Sequence, residues 1–314
     1  MMAFYRFKTF KSTYYFPPLT PDSRFIYSLY GNYGGRCARL IWWLFWNVAL
    51  FRLLFRVEEK TIEGLSLLKS LLGEDVIYGV NMGTIGPDQK MSVLGYHTNN
   101  QSSSTDKLRF FAKLSTSQRA KDLSRNEIKV YQALAGTGLV PDLYSYKDTD
   151  EYVFLKCECM RGEHVQSDVE ESQVMSILQV LKDKHYTGTS SSFLADNDAG
   201  EAPIKTCFAH MDFCPWNMLS VSGKLHLIDW EMSAEMPLGF DLFTYLLHTS
   251  FLLDNTQSGM TVIEQHRSWI DEYFAGEDWQ VYLKAFVNYK LEFFSKGQNH
   301  ILYDRFSEML QSMK

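Results

Sequence analysis

Residues 210–229 read HMDFCPWNMLSVSGKLHLID, and the interpretation of the whole chain begins from this stretch. Asp212 follows His210 by two residues, and Asn217 comes five residues after Asp212. Asp229 follows twelve residues later, beyond two short apolar runs that flank a Ser-Gly pair. Such a pattern is typical of a β-hairpin. We therefore expect the hairpin to bring Asn217 and Asp229 together at one end.

Two oxygen-bearing side chains at the end of a hairpin suit a magnesium ion. Mg²⁺ prefers carboxylate, carbonyl and water oxygens and usually shares them with substrate phosphates. Asn217 and Asp229 are thus the predicted metal ligands, and Asp212 is free to orient a hydroxyl group as the predicted catalytic residue. Phosphoryl transfer needs this division of labour. The alternative is a solvated loop in which the acids only cap turns.

The spacing His-x-Asp-x-x-x-x-Asn followed by Ile-Asp resembles the aminoglycoside phosphotransferase and choline kinase group, which are small-molecule kinases with the protein-kinase fold. The runs Asp-Trp-Glu at 229–231 and Gly-Phe-Asp-Leu at 239–242 fit that group better than protein kinases, where Asp-Phe-Gly is expected. The resemblance covers about residues 75–250 and is specific only from 210 to 242.

This resemblance implies an α+β, two-lobed protein-kinase-like fold with a β-rich N-lobe and a helical C-lobe, and ATP and Mg²⁺ as cofactors. We expect residues 1–60 to form an N-terminal extension with an amphipathic aromatic and basic helix. Residues 61–158 then form the N-lobe and 159–314 the C-lobe. His210 and Asp241 are expected to brace the catalytic loop through hydrogen bonds.

The expected N-lobe begins with a glycine-bearing hairpin at 76–96, whose turn contains Gly83. In the kinase-like fold such a turn covers the nucleotide phosphates with backbone N–H groups. The pattern alone would indicate only an ordinary β-turn. Cys157 to Gly162 resembles the interlobe hinge of the group, in which main-chain groups near Glu158 and Met160 would contact the adenine edge.

Lys113 lies inside an apolar strand, where its ammonium group needs a partner, and a nucleotide phosphate would satisfy it. Glu127 follows fourteen residues later in a helix that opens, by its pattern, at Ser124. Two roles are open for Glu127. It pairs with Lys113 and holds it for the nucleotide, or it forms a capping box with Ser124.

Residues 36–56 combine a run of aromatic and aliphatic residues with flanking arginines, and we expect them to be helical. Asn47 and Arg52 interrupt the run, so it is too short to span a bilayer. Three settings remain open: a helix packed on the body of the protein with its tryptophans buried, a helix lying at a membrane surface, or a site for a protein partner.

The composition bears on which partners and which compartment the protein has. The net charge of −6 disfavours nucleic acid. An odd number of cysteines, five, and the lysines at 8 and 11 that interrupt any apolar leader favour a cytoplasmic protein, with peripheral contact to the membrane through residues 36–56 as an option.

The acceptor is expected to be a small-molecule or glycan hydroxyl, a sugar first, because the short interval between residues 185 and 210 leaves little room for an aminoglycoside pocket. Choline-like or aminoglycoside acceptors are the alternative. A nucleotide-binding pseudokinase scaffold is the non-catalytic alternative.

Overall fold

The computed structural model describes residues 3–9, 12–28, 36–98, 109–160, 162–165, 169–184, 204–253, 256–295 and 300–313. The chain divides into two compact units. The first comprises residues 1–128 and 141–159, and the second comprises residues 129–140 and 160–314. The chain enters the second unit for the last time between Cys159 and Met160, inside the segment that resembles an interlobe hinge.

The first unit is built on an antiparallel sheet. Its strands are β1 Ala3–Lys8, β2 Thr13–Phe16, β3 Arg56–Glu58, β4 Val76–Asn81, β5 Lys90–His97, β6 Arg109–Ser115, β7 Leu143–Asp148 and β8 Val153–Glu158. Within the described residues they form one eight-stranded sheet in the order β3-β1-β2-β4-β5-β6-β8-β7. All neighbouring pairs are antiparallel.

Helices cover both faces of this sheet. They are α1 Arg24–Ser28, α2 Arg36–Asn47, α3 Ala49–Leu53, α4 Leu65–Leu72 and α5 Gln118–Ala133. Successive residues of a strand point to opposite faces, and the core follows that rule along β4. Tyr78 packs in the cluster that contains Leu68 of α4, whereas Ile77 packs against the cluster that contains Phe45 of α2.

The sequence predicts strands only from Val76 onward, and the structure adds three before that point. The strand β1 pairs with β2 and β3, and β2 joins β4 through Tyr14 opposite Asn81. Residues of the predicted extension therefore lie in the same sheet as the predicted N-lobe strands. The prediction of one helix over 36–56 is wrong in part, because Val48 is extended (φ −111°, ψ 104°) and separates α2 from α3.

The second unit is mainly helical. Its helices are α6 Glu171–Lys182, α7 Phe240–Phe243, α8 Thr249–Leu253, α9 Gly259–Gln265, α10 Arg267–Phe274, α11 Trp279–Ser295 and α12 His300–Ser312, with a π-helical turn at Thr244–His248. Its strands are β9 Glu163–His164, β10 Thr206–Ala209, β11 Met218–Val221, β12 Lys224–Leu227 and β13 Ala234–Pro237. A β-rich first unit and a helical second unit confirm the predicted fold class.

None of the helices in the described part of the chain has the length and apolar character needed to cross a bilayer.

Candidate active site

The hairpin predicted between Asn217 and Asp229 is present. Met218 pairs with Leu227, and the strands β11 and β12 run antiparallel from there to the turn. One step beyond, the N–H of Ile228 donates to the carbonyl oxygen of Asn217 at 3.0 Å. Asp229 is the next residue along the chain, so this backbone bond holds the two predicted metal ligands at the same end of the hairpin.

The side chain of Asn217 binds Asp212 directly. Its Nδ2 donates to the Oδ2 of Asp212 at 2.7 Å and to the carbonyl oxygen of Asp212 at 2.9 Å. Both amide hydrogens are thereby used, and the Oδ1 of Asn217 is the atom that can act as a ligand. Asn217 is buried and Asp212 is half-buried. The loop therefore holds the carboxylate of Asp212 against the amide nitrogen of Asn217.

His210 links the loop to the hairpin. Its Nδ1 accepts from the N–H of Asp212 at 3.3 Å, and its Nε2 lies 3.0 Å from the carbonyl oxygen of Ile228. Since a carbonyl can only accept, the proton of the neutral imidazole resides on Nε2. The imidazole is fully buried and lies 4.5 Å from the ring of Trp230.

Asp241 holds the backbone of the same loop. Its carboxylate accepts from the N–H of His210 at 2.7 Å and from the N–H of Met211 at 2.9 Å. Met211 has φ +71°, a left-handed conformation that costs a non-glycine residue free energy. Burial raises the pKa of Asp241 above its ordinary value, although these hydrogen bonds and the positive charge of Lys290 oppose the increase. The predicted bracing by His210 and Asp241 is confirmed.

Asp229 also has a left-handed backbone, with φ +68°, and its side chain is exposed. The next residue anchors it, because the Nε1 of Trp230 donates to the carbonyl oxygen of Leu227 at 2.9 Å and its ring is buried against Phe208. The carboxylate of Asp229 is therefore exposed, while the neighbouring Trp230 is buried and fixes the backbone. This combination suits a metal ligand that binds a cation from solvent.

In the first unit Lys113 and Glu127 form a buried ion pair. The Nζ of Lys113 lies 2.8 Å from both carboxylate oxygens of Glu127, and Glu127 has no exposed surface. Pairing between the two residues is therefore present. The capping role is wrong: α5 begins at Gln118, where Ser117 caps it by accepting from the N–H of Ala120. Ser124 lies inside the helix and bonds Ser115 instead.

The glycine-bearing hairpin is formed by β4 and β5, in register from Val76 opposite His97 to Asn81 opposite Ser92. Gly83 follows β4 with φ +74°, and a Cβ there would lie 2.4 Å from the carbonyl oxygen of Lys90. Its N–H donates to the side chain of Asn81 at 3.0 Å. The position requires glycine for two independent reasons.

Glu158 ends β8 and Met160 begins the second unit. The N–H of Glu158 donates to the carbonyl oxygen of Asp142 at 2.8 Å. That group is therefore already used, and any main-chain contact of Glu158 with a base must come from its carbonyl oxygen. The side chain of Glu158 is exposed and that of Met160 is half-buried.

Three residues around Asp212 escaped the sequence analysis. Lys290 is buried on α11, with its Nζ 5.0 Å from the ring centre of Phe240, and burial lowers its pKa to about 8 against the attraction of nearby acidic groups. Cys214 and His248 lie beside Asp212. Burial lowers the pKa of His248 to about 4. A helical period that places Lys290 on the stripe of buried α11 residues was the signal that could have revealed it.

Comparison with solved structures finds similar folds in several kinases. An amicoumacin kinase in complex with AMP-PNP, Ca²⁺ and Ami matches 80% of this chain and 91% of its own, with 11% identity and a TM-score of 0.50. A thermostable mutant of aminoglycoside phosphotransferase APH(4)-Ia matches 80% of this chain and 98% of its own, with 12% identity and a TM-score of 0.48.

A choline kinase from Cryptosporidium parvum Iowa II matches 81% of this chain and 92% of its own, with 11% identity and a TM-score of 0.45. No family model and no curated protein sequence matches the chain. The likeness to the amicoumacin kinase shows the fold, which is protein-kinase-like, and confirms the resemblance drawn from the sequence.

Proposed function

We propose that the protein is an ATP-dependent phosphotransferase that phosphorylates a hydroxyl group of a non-protein acceptor. The observation that carries this proposal is the hydrogen-bonded group of Asp212, Asn217 and the Ile228–Asp229 backbone, which combines one positioned carboxylate with two oxygen ligands. In this proposal residues 61–158 form the nucleotide-binding N-lobe, residues 159–314 form the C-lobe, and residues 1–60 form an extension.

The donor set fits Mg²⁺. Asn217 offers a carbonyl oxygen because its amide hydrogens are bound to Asp212, and Asp229 offers an exposed carboxylate. Both are hard oxygen ligands, which Mg²⁺ prefers over nitrogen or sulfur. When bound, the ion neutralises charge on the nucleotide phosphates.

In the reaction, the acceptor oxygen forms a bond to the γ-phosphorus while the bond to the bridging oxygen of ADP breaks. Asp212 accepts the hydroxyl proton, and Asn217 keeps its carboxylate in place through the 2.7 Å hydrogen bond. Lys113, held by Glu127, binds the α- and β-phosphates. The turn that contains Gly83 contacts the phosphates through backbone N–H groups other than that of Gly83, which donates to Asn81, and main-chain groups of Glu158 and Met160 bind adenine.

Magnesium-dependent nucleotide binding tests the metal assignment. Asp229→Asn is expected to weaken binding of Mg·ATP at least tenfold, the lower end of the effects typical of metal-site residues, while leaving the protein folded. Asp304→Asn is the matched control, because Asp304 is an exposed aspartate on α12. Isothermal titration with and without Mg²⁺ measures both. Equal affinity of Asp229→Asn and wild type would exclude Asp229 as a ligand.

For the acceptor we propose a sugar or glycan hydroxyl first, and amino alcohols or aminoglycosides second. A compact acceptor site follows from the short interval between residues 185 and 210, most of which lies outside the described residues. Glu231 and Glu235 are half-buried acids near Asp229 in the sequence, and they favour the second class through attraction to an amine.

An ADP-release screen separates these classes. Free sugars, lipid-linked glycans, choline, ethanolamine, aminoglycosides and a generic protein are offered in turn, with ATP and Mg²⁺. A signal above ATP hydrolysis from a sugar or glycan alone supports the first class. A signal from protein alone would contradict the proposal. Nucleotide binding with no transfer to any acceptor would favour the pseudokinase scaffold.

We also propose that the protein is cytoplasmic and contacts a membrane surface through residues 36–56, with the exposed side chains of residues 40–54 forming the contact. Of the sixteen exposed large hydrophobic side chains in the described chain, seven lie in this segment, including Trp43 at 57%, Leu50 at 76% and Leu54 at 79% exposure. The opposite face is anchored, because Phe45 is fully buried. Exposed aromatic and aliphatic side chains on two consecutive helices are suited to the headgroup region of a bilayer.

The arginine contribution to this contact is smaller than the sequence suggests. Arg52 donates from Nη1 to the carbonyl oxygens of Phe45 at 3.1 Å and Trp46 at 2.8 Å, so it caps α2. The attraction is therefore expected to be mainly apolar. Vesicle co-sedimentation tests it: Leu50→Gln with Leu54→Gln should release the protein, whereas Tyr144→Gln, at an exposed site on β7, should not. Oligomerisation of the wild type without vesicle binding would contradict the membrane proposal.

A further inference from the structure

A group of three potential metal ligands surrounds the predicted catalytic carboxylate. Asp212, Cys214 and His248 each offer one ligand atom, and these atoms all lie within 4.8 Å of one another. Asp212 and Cys214 belong to the loop before β11, whereas His248 ends the π-helical turn at Thr244–His248. Neither Cys214 nor His248 has a part in the proposed phosphoryl transfer.

We propose that Asp212, Cys214 and His248 form a site for a thiophilic divalent cation such as Zn²⁺, and that the bound cation inhibits the enzyme by occupying Asp212. The binding part stands on geometry alone. The inhibition part rests on the proposed function, since it requires that Asp212 accept the hydroxyl proton.

The spacing fits a tetrahedral ion. The Sγ of Cys214 lies 4.0 Å from the Nδ1 of His248. Zinc–sulfur bonds of about 2.3 Å and zinc–nitrogen bonds of about 2.0–2.1 Å at a tetrahedral angle separate the two ligand atoms by about 3.6 Å. The Sγ of Cys214 and the Nδ1 of His248 must therefore approach each other by only a few tenths of an ångström to bind one ion, and a small side-chain rotation achieves this.

The ligand types separate this site from the proposed Mg²⁺ site. A thiol and an imidazole are soft or borderline ligands that suit Zn²⁺ and leave Mg²⁺ unbound. The Oδ2 of Asp212 is held by Asn217, so its second oxygen is the one that completes a set of three protein ligands, with water as the fourth. On binding, the S–H proton of Cys214 leaves to solvent and the sulfur–metal bond forms.

The imidazole of His248 is held in place. The rings of Trp216 and Phe294 both contact it edge-on at centroid distances of 6.0 Å. The site is accessible through Asp212 and His248, which are half-buried, whereas Cys214 is fully buried. Lys290 is the opposing feature, because its positive charge interacts with Cys214, Asp212 and His248 and weakens the binding of any cation.

Cobalt(II) titration of the reduced, metal-free full-length protein tests the site without any assay of activity. A thiolate ligand gives a sulfur-to-cobalt charge-transfer band, and tetrahedral geometry gives intense visible bands. We expect both, and we expect Zn²⁺ to remove them. Cys214→Ser should abolish the charge-transfer band, and His248→Gln should weaken cobalt binding at least tenfold, because loss of even an indirect metal partner costs tenfold or more.

Matched controls are Cys207→Ser, at a buried cysteine on β10, and His266→Gln, at a half-buried histidine elsewhere in the second unit. Both should titrate like the wild type. Absence of the band in the wild type, or its persistence in Cys214→Ser, would overturn the site. Should Cys214→Ser fail to fold, unchanged cobalt affinity in His248→Gln overturns it equally.

Inhibition is tested separately once an acceptor is known. Zn²⁺ in the presence of excess Mg²⁺ should inhibit the wild type, and the inhibitory concentration should rise at least tenfold in Cys214→Ser, each variant being normalised to its own activity without Zn²⁺. Equal inhibition of both proteins would overturn the inhibitory role. A missing activity in all variants would count against the proposed function, while the cobalt spectrum would still decide the metal site.

Discussion

The ion pair between Lys113 and Glu127 supports a quantitative stability prediction. Both carboxylate oxygens lie 2.8 Å from the ammonium nitrogen, and the two side chains are 8% and 0% exposed. Lys113→Met leaves a buried carboxylate without its partner, and Glu127→Leu leaves a buried ammonium. Removal of one partner from a buried pair costs about 3–5 kcal/mol.

The double replacement should behave differently from the sum of the two. Lys113→Met with Glu127→Leu removes both charges together, and replacement of a buried pair by apolar residues is often neutral or stabilising. We therefore expect each single variant to lose about 4 kcal/mol of unfolding free energy and the double variant to recover most of it. With an m value of about 3 kcal/mol/M in urea, each single change lowers the midpoint by about 1.3 M.

Urea denaturation of the full chain, followed by circular dichroism, measures these free energies. Lys129→Met serves as the control, because Lys129 is an exposed lysine on the same helix, and it should change stability by less than about 0.5 kcal/mol. The double variant should regain stability but not nucleotide binding, since Lys113 is absent. Single variants that cost under about 1 kcal/mol, or a double variant that shows the full sum, would refute the account.

Three further predictions follow from the structure. Asp241→Asn replaces one of the two carboxylate acceptors by an amide donor, so the N–H of His210 or of Met211 loses its partner. Urea denaturation should show that the free energy of unfolding falls by about 2–4 kcal/mol. An unchanged denaturation midpoint would contradict the bracing role. Gly83→Ala forces a Cβ to 2.4 Å from a carbonyl oxygen at φ +74°, so stability should fall by about 1–3 kcal/mol with weaker nucleotide binding by calorimetry; a neutral result would show that the turn is adaptable. Burial lowers the pKa of Lys290 from 10.5 to about 8, so its charge destabilises the folded state below pH 8, and this destabilisation disappears as the pH rises above 10.5. Lys290→Met should therefore be more stable than the wild type by up to about 3 kcal/mol at pH 7 and by less than half of that near pH 9.5. A stability difference that does not change with pH would contradict this prediction.

The sequence predicts the site well where function depends on local spacing. The hairpin between Asn217 and Asp229 forms as expected, because two apolar runs and a Ser-Gly turn encode it within twelve residues. The pairing of Lys113 with Glu127 could also be predicted from the sequence, since a lysine in an apolar strand needs a partner for its charge. The start of α5 was misplaced because the Ser-x-x-Glu pattern at Ser124 occurs inside the helix by coincidence, with both side chains turned to β6.

Elements that depend on distant partners could not be predicted. The strand β1 is completed by β2 and β3, and β3 lies some fifty residues further along the chain, so its alternation alone does not identify it. Tertiary context of this kind overrides local strand propensity. The same holds for His248, which only the folded second unit brings beside Cys214. The extended conformation of Val48 also divides residues 36–56 into two helices, although the sequence pattern there is helical throughout.

In the proposed reaction Asp212 takes the proton of the acceptor hydroxyl, while other residues bind the nucleotide and its metal. Asp212→Asn tests this role most directly, because an amide oxygen at this position still accepts the hydrogen bond from Asn217 but no longer acts as a base. We expect the turnover rate to fall at least about 10²-fold, as is typical for loss of a general base, while the dissociation constant of Mg·ATP measured by calorimetry changes less than about twofold. Full turnover in Asp212→Asn, or a parallel loss of nucleotide binding, would contradict the account.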